Sequence, residues 1–356
     1  MGIFKDMLSG GETLFRDSVA LDYDYLPKLI PFRENEQMRI ASCIKPLFQN
    51  RNGRNLFIYG SPGIGKTAAC RHVLNELEET TDDIYPIYVN CWKHNTTYKV
   101  VLKICDELGY KFTQNKKTEE LFDIVRDIIN KKAAVFVFDE ADKAEDDDFL
   151  YMILEEIYRK SIILITNEKD FISILDSRIR SRLTPEMLEF RAYSRDEVRE
   201  ILRQRMDIAF YPNVWSEEAF EAVVSKAYEI GDIRSGLYLM KEAGNSAEDR
   251  GQRRIGLEDV NLALKKMNEF YVKAKDELGD DEQLIMEVVK ENSGSKIGEL
   301  YRAYQERGGK YTYKTFQRRI EKLEQGRFVN LEKISGGKEG KTTIVKDSSD
   351  SKLTEF

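Results

Sequence analysis

The chain contains 356 residues, of which 41% are hydrophobic and 33% are charged, and its formal net charge at pH 7 is −7. This length predicts two or three globular domains, and no apolar run reaches the roughly 18 to 20 residues that span a membrane. The first residues lack a signal-peptide pattern, so we expect a cytoplasmic protein with no membrane partner. The four cysteines have no metal-binding spacing and are expected to be reduced thiols of the core.

Short apolar runs alternate with amphipathic stretches in the first half of the chain. This alternation predicts an α/β domain over residues 1–193 that is built on a mostly parallel sheet. Ligands of such sheets bind beyond the carboxyl ends of the strands, so polar residues that follow a strand are the first site candidates. The predicted strands cover residues 56–59, 85–91, 133–139, 162–167 and 187–193.

The segment after the first predicted strand has the pattern G-x-x-x-x-G-K-T of a phosphate-binding loop, or P-loop. Its glycines allow successive backbone N–H groups to surround phosphate oxygens, and the following helix directs its positive dipole end at them. Lys66 is expected to neutralise the β- and γ-phosphates of ATP, and the Thr67 hydroxyl to bind Mg²⁺. The residues expected to hold ATP or ADP are Gly60, Ser61, Pro62, Gly63, Ile64, Gly65, Lys66, Thr67 and Ala68.

Two adjacent carboxylates, Asp139 and Glu140, follow the apolar run 135–138. At the end of a buried parallel strand, Asp139 can hold Mg²⁺ while Glu140 polarises a water molecule for attack on the γ-phosphate. Taken alone, this string also fits a strand that enters a solvated turn, and the P-loop pattern also fits a Gly-Pro turn with an incidental lysine. Their occurrence together at this distance favours an ATPase site.

Three further positions are candidates for contact with the nucleotide. Asn167 follows the fourth predicted strand and can orient the attacking water, although a turn-forming asparagine is an equal alternative. Arg178, Arg180 and Arg182 stand at alternate positions and can reach a phosphate held by a neighbouring subunit; DNA backbone contact or a solvated helix end are the alternatives. Arg234 begins a later helix and can lean back onto the nucleotide, which would couple two domains to the phosphate state.

From residue 194 onward the apolar period changes to 3.6 residues. A capping box, Ser194 with Glu197, begins a series of three or four helices, which predicts an all-helical domain over residues 194–278. The acidic stretch 274–282 is expected to be a linker or a helix end. Three helices (282–290, 297–306 and 312–324) and a glycine-tipped hairpin then predict a winged helix-turn-helix over residues 279–346, followed by a disordered polar tail at 347–356.

The third helix of this last domain has an apolar face and a basic face. Phe316, Ile320 and Leu323 recur at i, i+4 and i+7 and should face the core. Residues 296–346 hold 13 Lys and Arg against 6 Asp and Glu, which favours DNA contact over the alternative of a solvated face. The side chains expected at DNA are Lys314, Gln317, Arg318, Arg319 and Lys322 of the helix, and Lys333, Lys338 and Lys341 of the hairpin.

The chain resembles the archaeal replication-initiator family of AAA+ ATPases, which is related to the origin recognition complex large subunit and the cell-division-cycle helicase loader. Five local matches carry this resemblance: residues 26–34, the P-loop 60–67, the Phe-Asp-Glu-Ala-Asp string 138–142, the arginine segment 175–183, and the Gly-Asp-Ile-Arg string 231–234 with residues 237–244 after it. The stretch from Glu299 onward is similar to the winged helix of that family. The resemblance therefore covers nearly the whole chain and implies an AAA+ domain, a helical lid and a winged helix.

The resemblance also implies roles for particular residues. The segment around Arg33 and Glu34 would lie against the adenine, with Leu26 among the nucleotide-binding residues. A helical insert after the second strand, at about residues 94–118, would be the initiator-specific motif and would touch DNA through Tyr98 and Lys99. The remaining roles are sensor 1 for Asn167, sensor 2 for Arg234 and the arginine finger for Arg178.

The function implied by the resemblance is ATP-dependent initiation of DNA replication. Such a protein would associate with the nucleoid, bind duplex origin DNA, help to recruit the replicative helicase and contact other initiator copies. Slow ATP hydrolysis would reset it, with turnover below the usual enzyme range of about 1 to 1000 per second. A nucleotide-sensing transcription regulator and a clamp or helicase loader are the alternatives, and only the family resemblance separates the initiator from the regulator.

Overall fold

The computed structural model describes residues 13–276, 280–325, 329–336 and 340–347. The chain divides into two compact units, Met1–Ala263 and Leu264–Phe356. Lys338, the linker residues 277–279 and the predicted tail from residue 348 onward lie outside the described residues. Within the described part of the chain, no helix combines the length and the apolar character needed to cross a bilayer.

The first unit contains a five-stranded parallel sheet with the order β2-β3-β4-β1-β5. The mostly parallel sheet predicted from the sequence is confirmed, and the crossovers place helices between successive strands. The strands are β1 (Leu56–Tyr59), β2 (Ile84–Asn90), β3 (Ala133–Asp139), β4 (Lys160–Ile165) and β5 (Glu186–Glu189). The helices that accompany them are α1 (Glu34–Ile44), α2 (Lys66–Thr80), α3 (Thr97–Glu107), α4 (Thr118–Ile129), α5 (Asp148–Glu156), α6 (Phe171–Ile174) and α7 (Ser177–Leu183).

The register of the central strands brings the candidate site together. Every residue of β3 is buried, because a parallel strand in the middle of the sheet has helices on both faces. Asp139 at the end of β3 pairs with Ile165 of β4, and Ile165 pairs with Ile58 of β1. The residues that follow β1, β3 and β4 therefore lie at one edge of the sheet.

The fifth predicted strand, 187–193, is shorter in the structure. Pairing with β1 ends at Glu189, and the next residues leave the sheet although Phe190 and Tyr193 remain buried. They are buried against the P-loop, since a Cβ atom on Gly60 would meet the Phe190 carbonyl oxygen at 2.4 Å and one on Gly65 would meet the Tyr193 hydroxyl at 2.7 Å. The later part of the predicted strand, residues 190–193, is thus buried by a tertiary contact and not by strand pairing.

The predicted initiator-specific insert, residues 94–118, contains helix α3. Four residues of α3 belong to the same buried cluster as the sheet: Val100, Val101, Ile104 and Cys105. This helix is therefore an integral part of the α/β core. Its predicted contact with DNA through Tyr98 and Lys99 stays a prediction.

A four-helix segment, here called the lid, completes the first unit. Its helices are α8 (Arg195–Ala209), α9 (Glu217–Ile230), α10 (Ile233–Asp249) and α11 (Leu257–Asp276), with the division between the two units falling inside α11. The capping box of Ser194 and Glu197 is present as predicted. The order of helices agrees with the prediction, whereas the three-domain division stays a prediction.

The segment 13–25, which the sequence assigned to the α/β domain, lies instead on the lid. The backbone N–H of Arg16 donates to the carbonyl of Ala209 at 2.8 Å. Arg205 of α8 donates to the carbonyl of Ala20 at 3.1 Å, and Lys241 of α10 pairs with Asp22 at 2.7 Å. The chain therefore contacts the lid before it enters α1.

After the end of α11, the described residues of the second unit form three helices and a three-stranded antiparallel sheet of order β6-β8-β7. The predicted helices and hairpin are present, and a two-residue strand, β6, was missed because it is too short for a periodic signal. The designation of this unit as a winged helix-turn-helix stays a prediction. Its elements are α12 (Asp280–Glu291), β6 (Ser295–Lys296), α13 (Ile297–Glu306), α14 (Tyr313–Gln325), β7 (Val329–Gly336) and β8 (Gly340–Asp347).

Candidate nucleotide-binding site

The P-loop connects β1 to α2 in a conformation that its glycines permit. Gly60, Gly63 and Gly65 have φ angles of 146°, 72° and 89°, which side-chain-bearing residues rarely adopt. Gly65 is the N-cap of α2, so the first free N–H groups of that helix open into the loop. This backbone fits a phosphate cradle.

Lys66 is held at the centre of the loop by three acceptors. Its Nζ donates to the carbonyls of Gly60 and Ser61, each at 2.7 Å, and to Asn167 Oδ1 at 2.9 Å. Burial lowers the pKa of Lys66 to about 8, although the carboxylate of Asp139 opposes this shift. Because phosphate would restore the charged form of a desolvated ammonium group, the site favours an anionic ligand.

The Asp139 carboxylate forms the second part of the site. The Thr67 hydroxyl and the Tyr88 hydroxyl each donate to Asp139 Oδ2 at 2.7 Å. The hydroxyl and the carboxylate are hard oxygen ligands of the kind that Mg²⁺ prefers, and the ion normally keeps several waters besides one or two such ligands. Thr67 and Asp139 therefore fit the predicted magnesium site.

Glu140 lies at the end of β3 with a strained backbone. Its φ and ψ angles are 53° and 44°, in the left-handed region that residues with side chains rarely adopt and in which strain often accompanies function. Burial first, and then the neighbouring carboxylates of Asp139 and Asp142, raise the pKa of Glu140. A half-buried carboxylate of raised basicity suits the role of a base toward water.

Two residues of this site were not predicted from the sequence. Tyr88 hydrogen-bonds to Asp139, and Asn90 lies beside Glu140, where a side-chain hydrogen bond lowers the pKa of Glu140. Asn90 also pairs in register with Asp139 across β2 and β3. Asn90 could have been found, because it is a polar residue at the end of the second strand, and the same kind of position identified Asp139 and Asn167.

The first turn of α10 in the lid lies against the P-loop. Asp232 caps this helix by accepting from the Arg234 N–H at 2.9 Å, and a Cβ atom on Gly63 would meet Asp232 Oδ1 at 1.9 Å. Arg234 is exposed and lies near enough to Lys66 and Glu140 to lower the pKa of both. The lid therefore supplies a cation beside the predicted catalytic residues.

Arg33 lies against the P-loop. Its side chain is fully buried, and it donates to the P-loop carbonyl of Ile64 from both Nε, at 3.1 Å, and Nη2, at 3.0 Å. The guanidinium therefore bonds to the backbone of the P-loop, and the contact of the segment around Arg33 and Glu34 with the adenine stays a prediction. Leu26 is half-buried ahead of α1, and its role stays a prediction.

The predicted arginine finger lies on the exposed helix α7. Arg178 Nε pairs with Asp176 at 3.1 Å, and its guanidinium lies 5.3 Å from the centre of the Tyr151 ring. Arg180 donates to the Ser173 carbonyl at 2.9 Å, and Arg182 pairs with Glu155. None of these contacts involves the P-loop, as expected if α7 serves a neighbouring molecule, and the finger role stays a prediction.

The second unit carries the predicted DNA-binding helix as α14. Phe316, Ile320 and Leu323 are buried, as the sequence predicted, and Lys314 and Arg318 are exposed while Gln317 is half-buried. The side chains of Lys322, Lys333 and Lys341 are not among those described. In the first unit, Tyr98 is 41% exposed, and Lys99 donates to Asn95 at 2.8 Å.

Arg319 does not belong to the exposed basic face. It pairs with the buried Glu282 of α12 at 2.6 Å, and its guanidinium lies 5.4 Å from the centre of the Tyr311 ring. Arg319 therefore joins helices within the second unit, and its contact with DNA stays a prediction. The apolar period had placed it only at the margin between the two faces.

The strand order, the P-loop, the Asp139-Glu140 pair and the helical lid define an AAA+ protein. Residues 49–175 match the model of the AAA domain, and residues 199–265 match the model of the Cdc6 AAA+ ATPase-type lid domain. These two matches cover four of the five strands of the parallel sheet and most of the lid. The fold class predicted for the first unit is thereby confirmed.

Similarity extends over the whole chain. It is 30% identical to the ORC1-type DNA replication protein 2 of Archaeoglobus fulgidus, covering 99% of this chain and 95% of that protein. It is 29% identical to the ORC1-type DNA replication protein 2 of Methanosarcina mazei, covering 96% and 95%. The solved structure of the Aeropyrum pernix ORC1 protein in complex with DNA is similar, with a TM-score of 0.71, 27% identity and 95% of each chain covered. The chain belongs to the ORC1-type DNA replication protein family, which confirms the resemblance found in the sequence.

Proposed function

We propose that this protein is an ATP-dependent initiator of DNA replication that binds duplex DNA at an origin and helps to recruit the replicative helicase. The observation that carries the proposal is a P-loop site that the lid contacts. Lys66 donates a hydrogen bond to Asn167, and Thr67 donates one to Asp139. Asp232 of the lid packs closely against Gly63 of the P-loop. Full-length similarity to ORC1-type proteins supports the replication role. The DNA in the Aeropyrum pernix ORC1 complex supports duplex binding.

Hydrolysis of ATP requires a base, a positioned water and compensation of phosphate charge. Glu140 is the proposed base and Asn167 the proposed water-orienting group, whereas Lys66 and Arg234 compensate the phosphates. Mg²⁺, held by Thr67 and Asp139, would neutralise part of the charge on the β- and γ-phosphates. We expect slow turnover, below about 1 per second, because the proposed role of hydrolysis is to end the active state.

The proposed switch couples the phosphate state to the lid. Arg234 follows Asp232 in the first turn of α10, and that turn lies against Gly63 of the P-loop. A γ-phosphate would attract Arg234, and its loss on hydrolysis would release that attraction. Because a ligand shifts an equilibrium only by its different affinity for two states, ATP and ADP would stabilise different lid positions.

The proposed partners use surfaces outside the ATP site. The exposed Lys314 and Arg318 of α14 are proposed to meet the phosphates and bases of duplex DNA, with α14 and the β7-β8 hairpin forming a winged helix. The exposed arginines of α7 are proposed to reach the nucleotide of another initiator copy. The replicative helicase is the proposed protein partner downstream.

A DNA-binding titration tests the proposal. Fluorescence anisotropy would compare a duplex from the replication origin of the source organism with a shuffled duplex, in the presence of ATP or ADP. We expect tighter binding to the origin duplex, with ATP and ADP giving different affinities, and we expect Lys66→Ala to remove the nucleotide effect. Equal binding to both duplexes, with no effect of nucleotide, would contradict the proposal.

A further inference from the structure

We propose that Arg33 is a positioning residue that fixes the orientation of the Ile64–Gly65 peptide group and thereby aims the Gly65 N–H into the phosphate cradle. This inference rests on the proposed binding of nucleotide at the P-loop. In this role Arg33 acts on the phosphates indirectly, through the backbone of the P-loop, and does not recognise the base.

All five N–H donors of the Arg33 guanidinium have protein acceptors. Nε and Nη2 both donate to the Ile64 carbonyl, at 3.1 and 3.0 Å, and the second hydrogen of Nη2 goes to the Arg191 carbonyl at 2.6 Å. Nη1 donates to Glu36 Oε1 at 3.0 Å and to the Phe32 carbonyl at 3.5 Å. A guanidinium has five donors, so none remains for a ligand.

The paired hydrogen bonds on one carbonyl have a consequence for the adjoining N–H. The peptide group is planar, and in a trans peptide the C=O and the N–H point in opposite directions; the described residues contain no cis peptide bond. Since Arg33 holds the Ile64 oxygen on its own side, the Gly65 N–H is directed to the other side. A rotated peptide would present a carbonyl oxygen to a phosphate, and the two would repel.

The surroundings of Arg33 make this arrangement rigid. Its guanidinium lies 4.0 Å from the centre of the Tyr193 ring, and the Tyr193 hydroxyl is so close to Gly65 that an added Cβ would lie 2.7 Å from it. Arg191 and Tyr193 both belong to the segment between β5 and α8 of the lid. Arg33 therefore ties the P-loop to the segment from which the lid extends, and we expect ADP affinity to depend on this tie.

The test compares variants that differ in whether they hold the Ile64 carbonyl. Arg33→Lys keeps the charge but loses the planar fork that gives two parallel hydrogen bonds. Glu36→Gln is one control, because it removes the ion pair of Arg33 and leaves the hydrogen bonds from Arg33 to Ile64. Arg39→Lys in α1 is the other, because it changes an exposed arginine that pairs with Glu186. Dissociation constants would be measured by displacement of a fluorescent ADP analogue, together with the thermal midpoint of each nucleotide-free variant.

We expect Arg33→Lys to weaken binding of ADP and of inosine diphosphate by the same factor, about 10- to 100-fold, and both control variants to stay within about twofold of wild type. A loss for ADP without a loss for inosine diphosphate would overturn the proposal in favour of base recognition. Unchanged ADP binding in Arg33→Lys would also overturn it. Failure of the wild-type protein to bind ADP would instead refute the proposed function.

A measurement on the wild-type protein covers the case in which Arg33→Lys does not fold. In the side-chain ¹⁵N spectrum of arginine, the Arg33 Nε–H should be protected from solvent exchange both without ligand and with ADP, because it is bound to Ile64 in both states. Addition of adenosine alone should leave its shift unchanged. Rapid exchange of this N–H, or a large shift with adenosine, would contradict the proposal.

Discussion

Lys66 of the P-loop donates a hydrogen bond of 2.9 Å to Asn167 Oδ1, so that two side chains 101 residues apart in sequence meet at the edge of the sheet. They meet because β1 and β4 are neighbouring parallel strands. The contact links the proposed phosphate-binding cation directly to the residue proposed to orient water. The amide of Asn167 shares Lys66 with the carbonyls of Gly60 and Ser61.

Asn167→Ala should impair hydrolysis more than binding. Its amide is one of three acceptors of Lys66, so loss of the side chain leaves the lysine held by Gly60 and Ser61. We expect the ADP dissociation constant to change less than about threefold and single-turnover ATP hydrolysis to fall at least about tenfold, because a misplaced water reacts slowly. Equal hydrolysis in the variant and the wild type would remove Asn167 from the mechanism.

Glu140→Gln should trap ATP. The substitution removes the proposed base and leaves Lys66, Thr67 and Asp139 intact, so we expect ATP to bind with wild-type affinity while turnover falls by about 100-fold or more. Nitrocellulose retention of labelled ATP and release of labelled phosphate measure the two effects separately. Wild-type turnover in this variant would show that the base is another residue.

Gly63→Ala should disturb the contact between the P-loop and the lid. Gly63 has a φ of 72°, and an added Cβ would lie 1.9 Å from Asp232 Oδ1. Gly251→Ala is a matched control, because Gly251 has a φ of 64° but no atom within 4 Å of an added Cβ. Both variants bear the cost of a left-handed backbone at a residue with a side chain, about 1 to 2 kcal/mol. Only Gly63→Ala adds a clash at the nucleotide site, so only this variant should weaken ADP binding, by about tenfold or more. Equal ADP affinity in the two variants would argue against the lid contact.

The stability that Glu197 gives to the first unit at neutral pH should be lost in acid. Arg191, with the Ser194 cap, lowers the pKa of Glu197 from 4.5 to about 2. A carboxylate with a lowered pKa stabilises the fold above its unfolded pKa and loses this contribution as pH falls through the folded pKa. We expect Glu197→Gln to be less stable at pH 7, by less than the roughly 3.4 kcal/mol that 1.36 kcal/mol per pKa unit allows, because solvent screens the exposed Arg191. The difference should shrink between pH 5 and pH 2. Urea unfolding at each pH measures the stability of the two proteins. A stability difference that stays constant between pH 5 and pH 2 would show that the Glu197 charge does not contribute to it.

Arg318 and Arg319 should behave differently although they are adjacent. Changing the exposed Lys314 and Arg318 to Ala together should weaken duplex binding. The slope of log affinity against log salt, expected near −5 for the wild type, should become shallower by about 2, because each lost phosphate contact removes about 0.9. Arg319→Ala should instead destabilise the second unit by about 1 to 2 kcal/mol, because it leaves the buried Glu282 without this ion pair. An unchanged salt slope in the double variant would remove α14 from the DNA interface.

The sequence predicted those parts of the molecule whose signals are local. The P-loop pattern, the apolar run before Asp139, the capping box at Ser194 and the period of Phe316, Ile320 and Leu323 all depend on neighbours within a few positions. Parallel strand order then brings together the residues that follow each strand, which is why Asp139 and Asn167 could be placed at one site.

The remaining features depend on contacts between distant segments, which no local pattern encodes. Arg33 meets Ile64 31 residues later and Arg191 158 residues later. Arg319 meets Glu282 across 37 residues. Tyr193 looked like part of a strand because burial against a loop and burial in a sheet give the same apolar pattern.

Genome-wide occupancy of the protein in its own cells tests the proposed role in replication initiation. The tagged protein would be crosslinked and its bound DNA sequenced, alongside a marker-frequency map of where replication forks begin. We predict occupancy at one or a few loci that coincide with fork origins. Occupancy spread over many promoters, with none at fork origins, would contradict this role and indicate a transcription regulator built on the same ATPase.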